Sequence, residues 1–141
     1  MVSPGTQIRT PDGYVNNPNR QTLRLLNVTG ALVPKGSAVR LSTTVSRAFL
    51  LHTGTFDERV IGSTLLDCRP NERVECVYSG ETLALVNSPV GPGISLVPSA
   101  TPGLLTPFGG GGFFAQVAWT LEGVTAPGLV PVLFAPPSEV F

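Results

Sequence analysis

The sequence predicts an all-β fold with many turns and an extended N-terminal arm. Three observations carry that prediction. The 141 residues include 14 Pro and 16 Gly, about a fifth of the chain where ~12% is usual. Pro punctuates nearly every segment outside Lys35–Arg69; an interior Pro removes a backbone donor and clashes with the preceding turn, so few windows hold a helix. Apolar residues recur two apart in short runs bounded by turn sequences, the period of a strand with one buried face. Finally, IGSTLLDCRPNERVECVY (Ile61–Tyr78) is echoed fifty-six residues later, without a gap, by VAWTLEGVTAPGLVPVLF (Val117–Phe134).

Residues 1–20 read MVSPGTQIRTPDGYVNNPNR. Val2, Ile8, Tyr14 and Val15 are spread among three Pro, two Gly and three Asn, too little apolar surface to order the segment alone. Such a segment gains order by adding to a sheet edge or lying in a groove. It is read as a partner-binding arm acting through Thr6, Gln7, Ile8, Arg9, Thr10, Tyr14 and Val15, with Pro4, Pro11 and Pro18 limiting any strand. Residues 21–134 form the β domain. Within it LRLLN (Leu23–Asn27) resembles LALVN (Leu83–Asn87), so two similar units are read at about 23–78 and 83–134. Pro34-Lys35-Gly36 and Gly91-Pro92-Gly93 follow these runs, and apolar strands at Ala38–Leu41 and Ile94–Val97 come next. Each unit ends in a hairpin. Val74, Cys76 and Tyr78 point to one face, as do Val130, Val132 and Phe134. The turns are Arg69-Pro70-Asn71-Glu72 and Thr125-Ala126-Pro127-Gly128. The likeness reflects duplication, or hairpins alike by composition alone. A hairpin with one apolar face is not stable alone in water, so the units are expected to bury these faces against each other. Residues 135–141 form a Pro-rich tail, also read as partner-binding.

Little of the sequence points to chemistry. Charged residues are 13% of the chain and the net charge is zero, against ~25% charged in soluble domains. No Lys/Arg block is present to neutralise phosphates, so nucleic acid is not an expected partner. No apolar run is long enough to cross a bilayer, and the N-terminus lacks the pattern of a signal peptide. The chain is expected to be made in the cytosol and stay soluble, with Asn27-Val28-Thr29 a chance glycosylation match. His52, the sole histidine, lacks a recognisable catalytic set and is read as a strand-end surface residue. Two cysteines alone do not make a zinc site. Cys68 and Cys76 are buried thiols, favoured by Val124 and Val132 at the corresponding positions, or a disulfide across a hairpin centred on Glu72. FGGGGFF (Phe108–Phe114) lacks the Lys-Ser/Thr of a phosphate loop and is read as a bent loop. Its Phe113 and Phe114, like Phe141 in the tail, are candidate partner or oligomer contacts. Trp119 is either core or a contact anchor. No enzyme, cofactor or metal is expected.

The order "NVTGALVPKGSAVRL", "VIGSTLLDCRPNERVECVYSG", "GPGISLVPSATPGLLTP", "AQVAWTLEG…VPVLF" resembles the head decoration, or cement, proteins of tailed bacteriophages. The matching residues are Thr29, Gly30, Gly36, Val39, Ile61, Gly62, Leu65, Asp67, Val74, Cys76 and Gly80, and the likeness spans about Leu23 to Phe134. The Gly109–Gly112 run has no counterpart in that pattern, and only Glu122 remains of its acidic signature in the second unit. The resemblance implies a compact antiparallel β-barrel of the β-tulip kind, forming a homotrimer on the outer capsid surface of the virion. It would clamp neighbouring subunits of the major capsid protein, the arm supplying part of the clamp, and so stabilise the mature shell. Another virion β-module (tail, fibre or head-completion protein) is the alternative; a carbohydrate-binding domain and an enzyme are weaker ones.

Overall fold

The computed structural model describes residues 9–10, 13–14, 20–54, 57, 59–108 and 117–134. These form eleven strands and, among the described residues, no helix. Two short strands, β1 (Arg9–Thr10) and β2 (Gly13–Tyr14), pair with each other. The rest are β3 (Arg20–Asn27), β4 (Ala38–Leu41), β5 (Ala48–Leu51), β6 (Val60–Thr64), β7 (Arg73–Val86), β8 (Ser95–Pro98), β9 (Leu105–Pro107), β10 (Ala118–Thr120) and β11 (Gly128–Phe134).

The pairing of these nine strands closes twice. From β7 the hydrogen bonds run to β3, β5, β4, β6 and back to β7; they also run from β7 to β9, β8, β10, β11 and back. The result is two five-stranded barrels with one strand in common. The fourteen-residue β7 gives its first half to one barrel and its second half to the other. The sequence led us to expect two apolar faces packed on each other. Instead each unit curls on itself and fills its own interior. Leu25, Val33, Val39, Phe49, Cys68, Val74 and Cys76 fill the first barrel. Ala84, Val86, Val90, Leu96, Leu105, Val117, Ala118, Val130, Val132 and Phe134 fill the second, joined by Ala38 and Val60 from the first. Among the described residues, closure gives each of these nine strands a partner on both sides over part of its length, which limits the open edge left for another chain to extend. It also needs two parallel pairings, β3 with β5 and β7 with β9, which an antiparallel reading does not include.

The two barrels repeat one another bond for bond. In β6–β7 Ser63 faces Val77 and Thr64 faces Cys76. In β10–β11 Trp119 faces Leu133 and Thr120 faces Val132, the same register fifty-six residues on. Bridges outside the strands correspond as well, Val33 with Cys68 and Val90 with Val124. Each barrel also carries a buried threonine clasp. Thr64 Oγ1 donates to the Pro34 carbonyl (3.0 Å) and accepts from the Ser37 N–H (3.3 Å). Thr120 Oγ1 does the same with Gly91 (2.7 Å) and Ile94 (2.9 Å). The opening strands correct the sequence alignment by one residue. Asn27 pairs in parallel with Phe49, and Val86 with Leu105, so Asn27 corresponds to Val86, not to Asn87. Asn27 is buried and Asn87 exposed, as a one-residue slip in a strand requires.

Long strand β7 changes barrels by breaking its own regularity. Opposite it, Gln21 faces Ser79 but Thr22 faces Val77, so Tyr78 is an extra, bulged residue. A bulge turns the side chains that follow to the other face. Val77, just before the bulge, is buried, and Tyr78 only partly so, unlike its expected place beside Val74 and Cys76. Two residues later Gly80 has φ +101°, a left-handed value that glycine tolerates best. Gly80 pairs with Arg20 of β3 and with Phe134 of β11, which makes it the crossing point between barrels. The turn before β7 centres on Pro70-Asn71 rather than Glu72. Glu72 N–H donates to the Arg69 carbonyl (3.2 Å) and Asn71 has φ +64°, the geometry of a type II turn with Pro leading.

Glycine is required at Gly62 for a different reason. A Cβ there would collide with the backbone carbonyl of Val77, because β6 passes directly over β7 at the closure. Gly62→Ala is expected to cost about 2–3 kcal/mol, the range for overpacking a tight site. Gly91→Ala, where a Cβ meets nothing within 4 Å, serves as control and is expected within about 0.5 kcal/mol of wild type. Urea unfolding of both variants checks this; equal stabilities would contradict the closure.

Candidate interaction surface

The residues with the most chemical potential are absorbed by the fold. His52 is 1% exposed, not on the surface as its sequence context suggested. Its Nε2–H donates to the Ser99 carbonyl (2.9 Å), and its Nδ1 accepts from the Gly103 N–H (3.2 Å). These two bonds fix the ring's orientation and tie the end of β5 to the β8–β9 turn of the other barrel. Nothing in AFLLHTG foretells which loop will cover it. Asn27 is also fully buried. Its amide donates to the carbonyls of Ala31, Cys68 and Arg69, and its Oδ1 accepts from the N–H and hydroxyl of Thr29. An amide so engaged is a structural hub, and a glycan has no access to it. Asp67, in the acidic turn, accepts from the Lys35 N–H (2.7 Å) and pins the Pro34–Gly36 turn.

Both cysteines are free and buried. With Thr64 opposite Cys76, Cys68 falls past the end of that ladder and is not its cross-strand neighbour. Burial raises the Cys76 thiol to about 12, helped by nearby Cys68 and Glu75, so it is a poor nucleophile. Among the described residues, Asp57 is the carboxylate held clearly below its usual range. Burial acts to raise its pKa, but the N–H groups of Thr53 and Arg59 and the Arg59 guanidinium at 3.1 Å outweigh burial and hold it at about 2. This cluster fastens the loop after β5. Among the described residues no three His, Cys, Asp or Glu gather to hold a metal. The polar dip lined by Ser42–Ser46 measures about 180 Å³, below the ~300 Å³ at which ligand pockets begin.

What remains is surface, and it is unevenly distributed. On the outer side of the second barrel β10 and β11 present Trp119, Leu129, Pro131 and Leu133, with Leu121 just beyond β10. The adjoining half of β7 adds Leu83 and Leu85, opposite Pro131 and Leu129. Trp119, Leu121, Leu129 and Leu133 are 36%, 42%, 39% and 38% exposed. The repeat provides an internal control. Where the second barrel has Leu83, Leu129 and Pro131, the first has Arg24, Arg73 and Glu75, and Arg24 pairs with Glu75 at 3.7 Å. The fold therefore accepts charge at these positions. Of the predicted contact residues that the structure describes, Trp119 lies on this face. Arg9, Thr10 and Tyr14 lie in the β1–β2 pair, in which one part of the arm pairs with another. Thr6, Gln7, Ile8, Val15, Phe113, Phe114 and Phe141 lie outside the described residues. Leu121, Leu129 and Leu133 were missed although their signal was present. If Val130, Val132 and Phe134 face inward, residues 129, 131 and 133 must face outward.

The two-barrel fold has a solved counterpart. The chain is similar to the N-terminal base of gp8.5, the head fibre protein of bacteriophage phi29, with a TM-score of 0.59 at 11% identity. The similarity covers 82% of this chain and 95% of that one, more than either barrel alone provides, so it extends over both. No family model and no curated protein sequence matches the chain.

The His52 bridge is testable. His52→Ala would strand a buried carbonyl and a buried N–H and open a cavity, at a cost of about 3 kcal/mol. Urea unfolding should register that loss; a change under about 0.5 kcal/mol would show that the bridge is not needed.

Proposed function

We propose that the chain is a non-catalytic structural component of a bacteriophage virion, mounted on the head. The observation that carries this reading is the fold shared across both barrels with a phage head fibre base. The way the buried His, Asn and Cys side chains are used for structure supports it. In its finer form the proposal is a capsid decoration protein. It would bind the major capsid protein on the outer face of the mature shell as a homotrimer and clamp adjacent subunits, with the arm of residues 1–20 as one contact. Specific interfaces bury about 1,200–2,000 Å², and many symmetric copies add such contacts by avidity.

The solved counterpart favours a second reading, the base of a head fibre. Both readings predict capsid binding and differ in copy number. The purified chain, added to expanded shells that lack it, should fill every symmetry-equivalent site and raise the temperature at which shells rupture if it is cement. Occupancy at only a few positions, without shell stabilisation, would select the fibre base. No binding to shells would overturn both.

A further inference from the structure

We infer that the end of the first barrel where β3 finishes and β5 and β7 begin, with Arg24, Arg47, Arg69 and Arg73, is a docking surface for an anionic protein. The inference deepens the virion reading, on which it rests for the identity of that protein, by naming the side of the molecule that meets the shell. The net charge of zero conceals a divided molecule. Residues 20–79 hold eight of the nine Lys and Arg against five Asp and Glu, a net charge of +3; residues 80–134 hold no Lys or Arg and two Glu, a net charge of −2. Four of the cations gather at one end. Ala48, Leu26 and Arg73 stand side by side across β5, β3 and β7. Arg47 precedes Ala48, and its carbonyl accepts from the Leu26 N–H (2.9 Å), so Arg47 and Arg73 lie roughly 10 Å apart, two strand spacings. Arg24 is two residues back along β3 and shares the outer face with Arg73, since Leu25 and Val74 fill the interior. Arg69 begins the turn into β7; its carbonyl accepts from the Asn27 amide (3.1 Å) and the Glu72 N–H (3.2 Å). All four residues are exposed. Arg24 meets Glu75 at 3.7 Å, while Arg47, Arg69 and Arg73 form no ion pair among the described residues.

The backbone at Arg47 separates this cluster from an ordinary solvated face. Its φ is +53°, in the left-handed region that an L side chain seldom enters. The repeat shows which residue suits that turn. Asn27 pairs with Phe49 as Val86 pairs with Leu105, so Arg47 corresponds to Gly103, whose φ is +87°. The second barrel meets the turn with glycine, which takes this conformation without strain. The first barrel keeps an arginine there, and no side-chain contact among the described residues offsets the strain. Strain held at an exposed residue is a mark of function, and here it points to a contact made outside the chain. The other three arginines also have uncharged counterparts, Leu83, Thr125 and Leu129, so the fold does not require charge at these positions. Charge complementarity selects the partner. Arginine is enriched at protein interfaces where lysine is depleted, and its planar fork matches a carboxylate. Glu72 and Glu75, set among the arginines, would repel a phosphate backbone, so an acidic protein surface fits better than nucleic acid.

The test replaces arginines by their second-barrel counterparts, Arg47→Gly, Arg69→Thr and Arg73→Leu, singly and together. Glu122→Gln, at an exposed position of the second barrel, is the control. Two probes are used over a series of salt concentrations, expanded shells that lack the chain and polyglutamate chains, and circular dichroism verifies folding. Wild type and Glu122→Gln should bind both probes, less tightly as salt rises. Each single variant should lose about fivefold in affinity with a flatter salt dependence, and the triple variant about a hundredfold. Arg47→Gly should unfold at a urea concentration no lower than wild type, because relief of left-handed strain outweighs the freedom glycine adds to the unfolded chain. A lower midpoint would mean that Arg47 serves the fold, and would overturn the inference. So would folded variants that bind as tightly as wild type, or a wild type retained on duplex DNA and not on polyglutamate. If the triple variant does not fold, the single variants decide. A wild type that ignores shells but binds polyglutamate through these arginines refutes the virion reading alone; shells bound equally well without them refute the docking surface alone.

Discussion

The structure depends on one strand being shared. β7 is long enough to line two barrels, and each half satisfies its backbone through two neighbours, β3 and β6 on one side of Gly80, β9 and β11 on the other. Neither barrel has a complete ring without it. A five-stranded barrel of some sixty residues is near the lower limit at which a single core is self-sufficient. Sharing a strand lets two such cores support each other. The bulge at Tyr78 and the positive φ of Gly80 are what this arrangement demands of the chain. Together they re-aim the strand so that Val74 and Cys76 enter one interior and Ala84 and Val86 the other.

Repetition also shows which features belong to the scaffold and which are specific to one copy. The threonine clasp, the hairpin register and the bridge that follows it occur twice, so they are what the fold requires. The Asn27 hub occurs once, with Val86 at its counterpart, and replaces apolar packing by hydrogen bonds. The surfaces diverge at particular positions, where Arg24, Arg73 and Glu75 of the first barrel are matched by Leu83, Leu129 and Pro131 of the second. Such divergence on a common backbone is where a structural protein carries its specificity. It agrees with a function performed by contact, in which the two barrels face different surroundings.

Much of the fold was legible in the sequence, and the misses have physical causes. The hairpins could be placed to the residue because Thr64-Leu65 and Thr120-Leu121 fix their spacing. The opening strands were aligned one residue off. LRLLN and LALVN are apolar on both faces, so alternation could not set their register, and the buried partners Phe49 and Leu105 did. Ring closure was hidden because it rests on parallel pairings as brief as Val86 with Leu105, too short to leave a pattern. The pairing of β1 with β2 was not foreseen, because the arm was read as extended and pairing with a partner. The candidate surface was half legible, since Trp119 drew attention by its type and Leu129 and Leu133 only by their parity with inward neighbours.

Amide hydrogen exchange across a series of sub-denaturing urea concentrations tests the shared strand most directly. Asn27 and Leu65 report on the first barrel, Val117 and Leu121 on the second, each through a backbone hydrogen bond outside β7's own donors. If β7 is common to both rings, these amides should open with the same free energy and the same urea slope, because neither barrel can unfold and leave the other closed. Opening of the second barrel at a lower free energy and a smaller slope, with the first still protected, would mean that the barrels stand independently and would contradict the account.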